Sequence, residues 1–234
     1  MARSEANEND SRHEKRIVRF IYLSPTDRPL VLAYRDNLER GARQLQRWFT
    51  EKLDGFTFAL NEPEVVECYQ TAHPAAWYHS PPTGKSKQWF WQSTLEEAFA
   101  LTGARYNDPE FRWMFYIDAD PGCNQSVGAA GGVALVGAND LRGLSGEPFV
   151  PPCPGEPQYQ FTWGRCVGGM AHELGHTVGI NHPEDSPGGP DDRTLMYQGY
   201  EDFPDTYLRA GDVEAFRSSG FFSHRLDAEN STPV

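Results

Sequence analysis

The sequence predicts an α+β domain. A twisted mixed sheet is backed by helices, one further helix carries the reactive side chains, and a smaller irregular C-terminal part holds a single helix. Three observations predict this. Ile17–Leu23 and Phe111–Asp118 are dense in β-branched and aromatic residues, as buried strands are. Between them, Pro29–Leu53 places Leu32, Leu38, Ala42, Leu45, Trp48, Phe49 and Leu53 close to helical spacing. Beyond Gly179 the chain turns rich in proline, glycine and aspartate before one last periodic segment, Tyr207–Ser219.

Taken in order, Met1–Arg16 is polar and charged and is expected to be a disordered tail. Ile17–Leu23 stops at the turn signal Ser24-Pro25, and the helix over 29–53 stops at Gly55. Phe56–Leu60 reads as a strand, extended after Pro63 through Val65–Tyr69. His73–Trp91 is rich in proline and aromatics and reads as a covering loop; no regular spacing makes His73 and His79 a second metal site. Gln88–Thr102 predicts a helix with Phe90, Leu95, Ala98, Phe99 and Leu101 near one face, ended by Gly103. Phe111–Asp118 is the strongest strand and the expected centre of the sheet. Asp118 and Asp120 close it, as a turn or as a calcium site. Gly131–Gly137 reads either as an edge strand open to an added peptide strand or as an ordinary buried one. Gly143–Phe161 is a long connection, and Thr162–Val178 is a helix in which Gly168, Gly169 and Ala171 permit close packing. The loop Pro183–Arg193 holds four carboxylates and reads as a solvated loop before a calcium site. The tail from Asp227 is expected to be loose.

At 234 residues the chain is long enough for one large domain with a real core. A net charge of −12 argues against a phosphate-binding surface, so no nucleic-acid partner is expected. No apolar run is long enough to span a bilayer. Cys68, Cys123, Cys153 and Cys166 form no CxxC pair; two disulfides and four free thiols are both compatible with them. No compartment is assigned. The N-terminus lacks the apolar core of a signal peptide, which leaves a cytoplasmic or non-classically exported chain, or a secreted one if it is a mature fragment.

The chemistry is concentrated in His172-Glu173-Leu174-Gly175-His176-Thr177-Val178-Gly179-Ile180-Asn181-His182. Histidines four apart on a helix project from one face, so both rings can reach one ion, with Glu173 beside the first. Gly179 can take a positive φ, end the helix and turn the chain back, which lets His182 become a third ligand. Three neutral imidazoles leave a tetrahedral position open, the design of a catalytic zinc.

The run HExxHxxGxxH resembles the zinc signature of the metzincin metalloproteases, matched at His172, Glu173, His176, Gly179 and His182. Met196, in Thr194-Leu195-Met196-Tyr197, resembles their Met-turn. The motif covers about a tenth of the chain, and no subfamily is assigned. A zinc-binding tyrosine two residues past the methionine, found in some members, is not matched, since Gln198 stands there. The resemblance implies one catalytic domain over 17–226, with an upper lobe of about 17–181, a lower lobe of about 182–226 and a loose tail at 227–234. It implies one catalytic Zn²⁺ held by His172, His176 and His182, with Met196 as a hydrophobic floor. Glu173 is the expected general base, and Tyr197 and Tyr200 the residues bordering the pocket past the scissile bond or assisting the oxyanion. The implied function is a zinc endopeptidase acting, as a monomer, on protein or peptide substrates. The alternatives are a catalytically silent zinc-binding or interaction domain and a zinc hydrolase of small amides.

Overall fold

The computed structural model describes residues 16–79, 88–123, 125, 127–155, 159–184 and 191–224. Residues 1–15 of the expected tail Met1–Arg16 and the expected tail from Asp227 lie outside the described residues, as do residues 185–190 of the acidic loop and 80–87 of the aromatic loop.

The strands are β1 (Ile17–Ser24), β2 (Phe56–Leu60), β3 (Val66–Gln70), β4 (Phe111–Ile117), β5 (Gly128–Ala130), β6 (Val133–Val136) and β7 (Phe222–His224). They form one mixed sheet in the order β5-β6-β4-β1-β2-β7, with β3 also paired to β1. β1 pairs in parallel with β2 at Ile17 and Val18, and with β3 from Phe20 to Ser24, so the two follow each other along it. β4 lies on its other side, in parallel, and β6 beyond that. The antiparallel strands β5 and β7 end the sheet.

The helices are α1 (Leu32–Lys52), α2 (Ala75–His79), α3 (Trp89–Thr102), α4 (Ala138–Leu144), α5 (Trp163–Thr177) and α6 (Ala210–Ser218). Alternation along the strands divides the core in two. Val18, Phe20, Tyr22, Met114, Tyr116, Ala134 and Val136 point to the side of α1, α4 and α5. Ile21, Leu23, Trp113, Phe115, Ile117, Val133 and Leu135 point to the side of α2 and α3. A strand buried on both faces has no polar side to show, which is why β1 and β4 read as nearly continuous apolar runs.

Several expectations change. The edge strand beside α5 is β5, which precedes Gly131–Gly137; β6 is the ordinary buried strand, covered on both sides. Short helices α2 and α4 occupy segments not read as helical. β7 returns from the C-terminal part and pairs with β2, so that part is joined to the main sheet. Cys123 and Cys153 form a disulfide, while Cys68 and Cys166 are free, a mixed outcome between the two open readings. Asp118 pairs with Arg28 and Asp120 with Arg142, so these carboxylates sit in ion pairs. His73 is engaged by Glu97 and stacks on Trp77. No helix among the described residues is long and apolar enough to cross a membrane.

Candidate metal centre

Helix α5 starts at Thr162, whose Oγ1 accepts a hydrogen bond from the Arg165 backbone N–H. It ends in a Schellman motif. Gly179 has φ +93°, its N–H donates to His176 O, and the Ile180 N–H donates to Gly175 O. That left-handed residue is where glycine is required, and it folds Ile180–His182 back beside the helix.

The consequence is a triangle of ring nitrogens. The Nε2 atoms of His172, His176 and His182 lie 3.0, 3.1 and 3.1 Å apart. His172 Nδ1 donates to Leu195 O at 2.8 Å and His176 Nδ1 to Ile180 O at 2.7 Å. Carbonyls only accept, so each Nδ1 carries the proton and each Nε2 presents a lone pair. Lone pairs this close repel unless a cation lies among them. Three nitrogens bonded at about 2.0–2.1 Å to a tetrahedral Zn²⁺ would be spaced within a few tenths of an ångström of this triangle. Among the described residues this is the cluster suited to a metal. Burial pushes the His172 pKa down to about 4, helped by the neighbouring histidines and opposed by its bond to Leu195 O; burial lowers His176 too. Both rings are therefore neutral near pH 7, as ligands must be.

The C-terminal segment supplies the floor. Met196 is fully buried, and a Cβ on Gly175 would lie 2.3 Å from its Sδ, so the thioether sits directly beneath α5 between the two histidines. Leu195 N–H donates to Tyr207 O, which anchors the carbonyl that holds His172. The Tyr200 ring stands 5.1 Å from His172 and the Tyr197 ring 5.9 Å from His182, both partly exposed.

Glu173 points to the other side, toward β5. Its Oε2 is buried without a hydrogen-bond partner, 3.9 Å from where a Cβ on Gly128 would be. Burial pushes its carboxyl up to about 8, and the charge of Asp140 adds to this. The structure brings His172, His176 and His182 together, with Met196 beneath α5 and the Tyr197 and Tyr200 rings beside them, while Glu173 lies on the β5 side.

What sequence reasoning missed is Asp140, delivered by α4. Burial raises its carboxyl to about 6, opposed by the charges of Arg165 and Arg142. Since the folded pKa lies above the unfolded one, Asp140 favours folding at low pH, and this is lost as pH rises through about 6. Asp140→Asn is therefore expected to stabilise the chain by about 1–2 kcal/mol at pH 7.5, after allowance for partial solvent contact, and by nothing at about pH 3, below the unfolded pKa. Urea unfolding of both forms at the two pH values checks the sign.

No protein-family model matches the sequence, and no curated protein matches it. Among solved structures, the chain is similar to OgpA from Akkermansia muciniphila, at 19% identity and a TM-score of 0.57 over 89% of this chain. It spans 62% of that chain's length. Archaemetzincin from Methanopyrus kandleri aligns over 88% of this chain and 96% of its own at 18% identity, TM-score 0.46. A zinc-dependent peptidase from Methanocorpusculum labreanum aligns over 84% of this chain and 100% of its own at 14% identity, TM-score 0.37. The chain shares the fold of the OgpA structure and, within that fold, presents a three-histidine cluster.

Proposed function

We propose that this chain is a zinc endopeptidase of metzincin type, with His172, His176 and His182 as ligands, Glu173 as general base and Met196 as the floor of the site. The observation that carries the reading is the convergence of three imidazole nitrogens with a carboxylate on the residue after the first of them. The solved structures named above include proteins described as an archaemetzincin and a zinc-dependent peptidase, in keeping with this reading.

When bound, Zn²⁺ supplies Lewis-acid polarisation of the scissile carbonyl and lowers the pKa of a water at the site. Every other task falls to the chain. The free side of β5 takes an extended peptide as an added strand, which holds the scissile carbonyl near the histidines. Glu173 takes the proton of the attacking water on its carboxylate and gives it to the leaving nitrogen. Its buried, partnerless Oε2 suits proton exchange, because no competing donor holds it. Tyr200 and Tyr197 border the pocket for the residue after the scissile bond and offer phenol donors toward the oxyanion.

Cleavage of a diverse peptide library, read by mass spectrometry beside metal analysis, tests this. The expected result is cutting that requires one zinc per chain, is lost with chelator and returns with added Zn²⁺. Zinc bound with turnover of small amides alone would favour the small-amide hydrolase. Zinc bound with no turnover of either would favour the silent binding domain, and no zinc at all would overturn the reading.

A further inference from the structure

Two opposite charges, Asp140 and Arg165, flank a shallow trough on one face of α5 beside the site, close enough to feel each other yet not joined by a hydrogen bond or ion pair. Arg165 lies seven residues before His172, about 10 Å along the same face of α5. Between them that face carries Gly168 and Gly169. Gly168 is covered by the 3-10 turn Gly199–Asp202, since a Cβ there would meet Tyr200 O at 2.0 Å. Gly169 is open, and a Cβ there would meet nothing nearer than Asp140 Oδ1 at 3.7 Å. Asp140 thus walls the trough on one side, Tyr200 on the other, and Arg165 stands at its end.

The Arg165 guanidinium is held by rings. It lies 3.8 Å from the Phe161 centroid and 5.5 Å from that of Tyr200. Neither Arg165 nor Asp140 makes a side-chain hydrogen bond or ion pair with any described residue, and no N–O approach within 4.0 Å joins them. Arg142, the other guanidinium near Asp140, is occupied by Asp120 and Asn139. A partly buried carboxylate with no hydrogen bond from a described residue costs stability, and a donor brought by a ligand would offset that cost.

The charges decide what fits. A carboxylate entering the trough meets Asp140, and an ammonium meets Arg165. An apolar side chain would strip water from both charges without replacing it. A neutral group that accepts at one end and donates at the other satisfies both: a carboxamide oxygen accepts from Arg165 while its NH₂ donates to Asp140. Resting on the peptidase reading of this site, we propose that Asp140 and Arg165 form a dipolar specificity pocket selecting glutamine or asparagine as the residue that follows the scissile bond.

The test is kcat/KM for the zinc-loaded chain on one peptide series varied at that position. Glutamine or asparagine should exceed glutamate, lysine and leucine by at least about tenfold. Asp140→Asn should gain turnover of the glutamate peptide, and Arg165→Gln should gain turnover of the lysine peptide. Opposite gains in two variants cannot come from misfolding. A flat wild-type profile, a preference for leucine, or the same change in both variants overturns the inference and leaves the peptidase intact. Failure to cut any peptide with zinc bound overturns the peptidase reading itself, and this inference with it.

Discussion

Glu173→Gln is expected to lower kcat by about 10²–10⁴-fold, the usual contribution of a positioned acid–base group, with zinc content unchanged. Glutamine keeps the shape that packs against Gly128 and still accepts a hydrogen bond, but it cannot take a proton. Because Oε2 has no partner in the resting site, the change breaks no existing hydrogen bond. It also removes a carboxylate whose pKa burial has already pushed up to about 8, so thermal stability should hold or rise. Kinetics on the best library peptide, with metal analysis and melting curves on the same preparation, read all three. Near wild-type turnover would remove Glu173 from the mechanism.

The second large effect concerns two adjacent glycines whose replacements should diverge. At Gly168 an added methyl would lie 2.0 Å from Tyr200 O and 2.8 Å from Phe203 Cβ, so backbone must move. Gly168→Ala is expected to cost about 1–3 kcal/mol through overpacking. It should also weaken zinc binding, because the displaced turn adjoins Leu195 and Met196, which position His172. At Gly169 the nearest atom is at an ordinary 3.7 Å, so Gly169→Ala should instead gain about 1 kcal/mol of helix propensity. Melting temperatures and zinc stoichiometry distinguish the pair. Equal behaviour of the two variants would mean that the turn does not bear on α5 as described.

The site was legible from sequence because its information is local. Residues 172–182 specify their own geometry: a helix, a glycine that stops it, and a return strand of chain. The strands β1 and β4 were legible for the related reason that burial on both faces leaves a continuous apolar run. What was not legible depends on pairing with distant chain. β5 is three residues of glycine and alanine, and it is a strand because β6 lies beside it. α4 has seven residues, too few to show a period. Asp140 reaches the site because α4 packs on α5 across Gly169, and nothing within residues 138–144 announces that contact. Arg165 stood in plain view on α5, but an arginine on a helix face is ordinary until its position beside Asp140 is seen. The disulfide between Cys123 and Cys153 is likewise a fact of proximity.

The pairing of β7 with β2 bears on how the molecule is made. β2 is laid down early, yet the strand that covers it ends at His224. Phe222 completes an aromatic cluster with Phe49, Phe58 and Phe216, which belong to α1, β2 and α6. Until β7 has emerged from the ribosome, the nascent chain presents the bare edge of β2 and a half-filled cluster, the surface that invites pairing with other chains. The histidines and Glu173 are synthesised before this happens. Completion of the sheet therefore waits for residues 222–224 to be made, and a truncation that stops short of Phe222 is a form that aggregates.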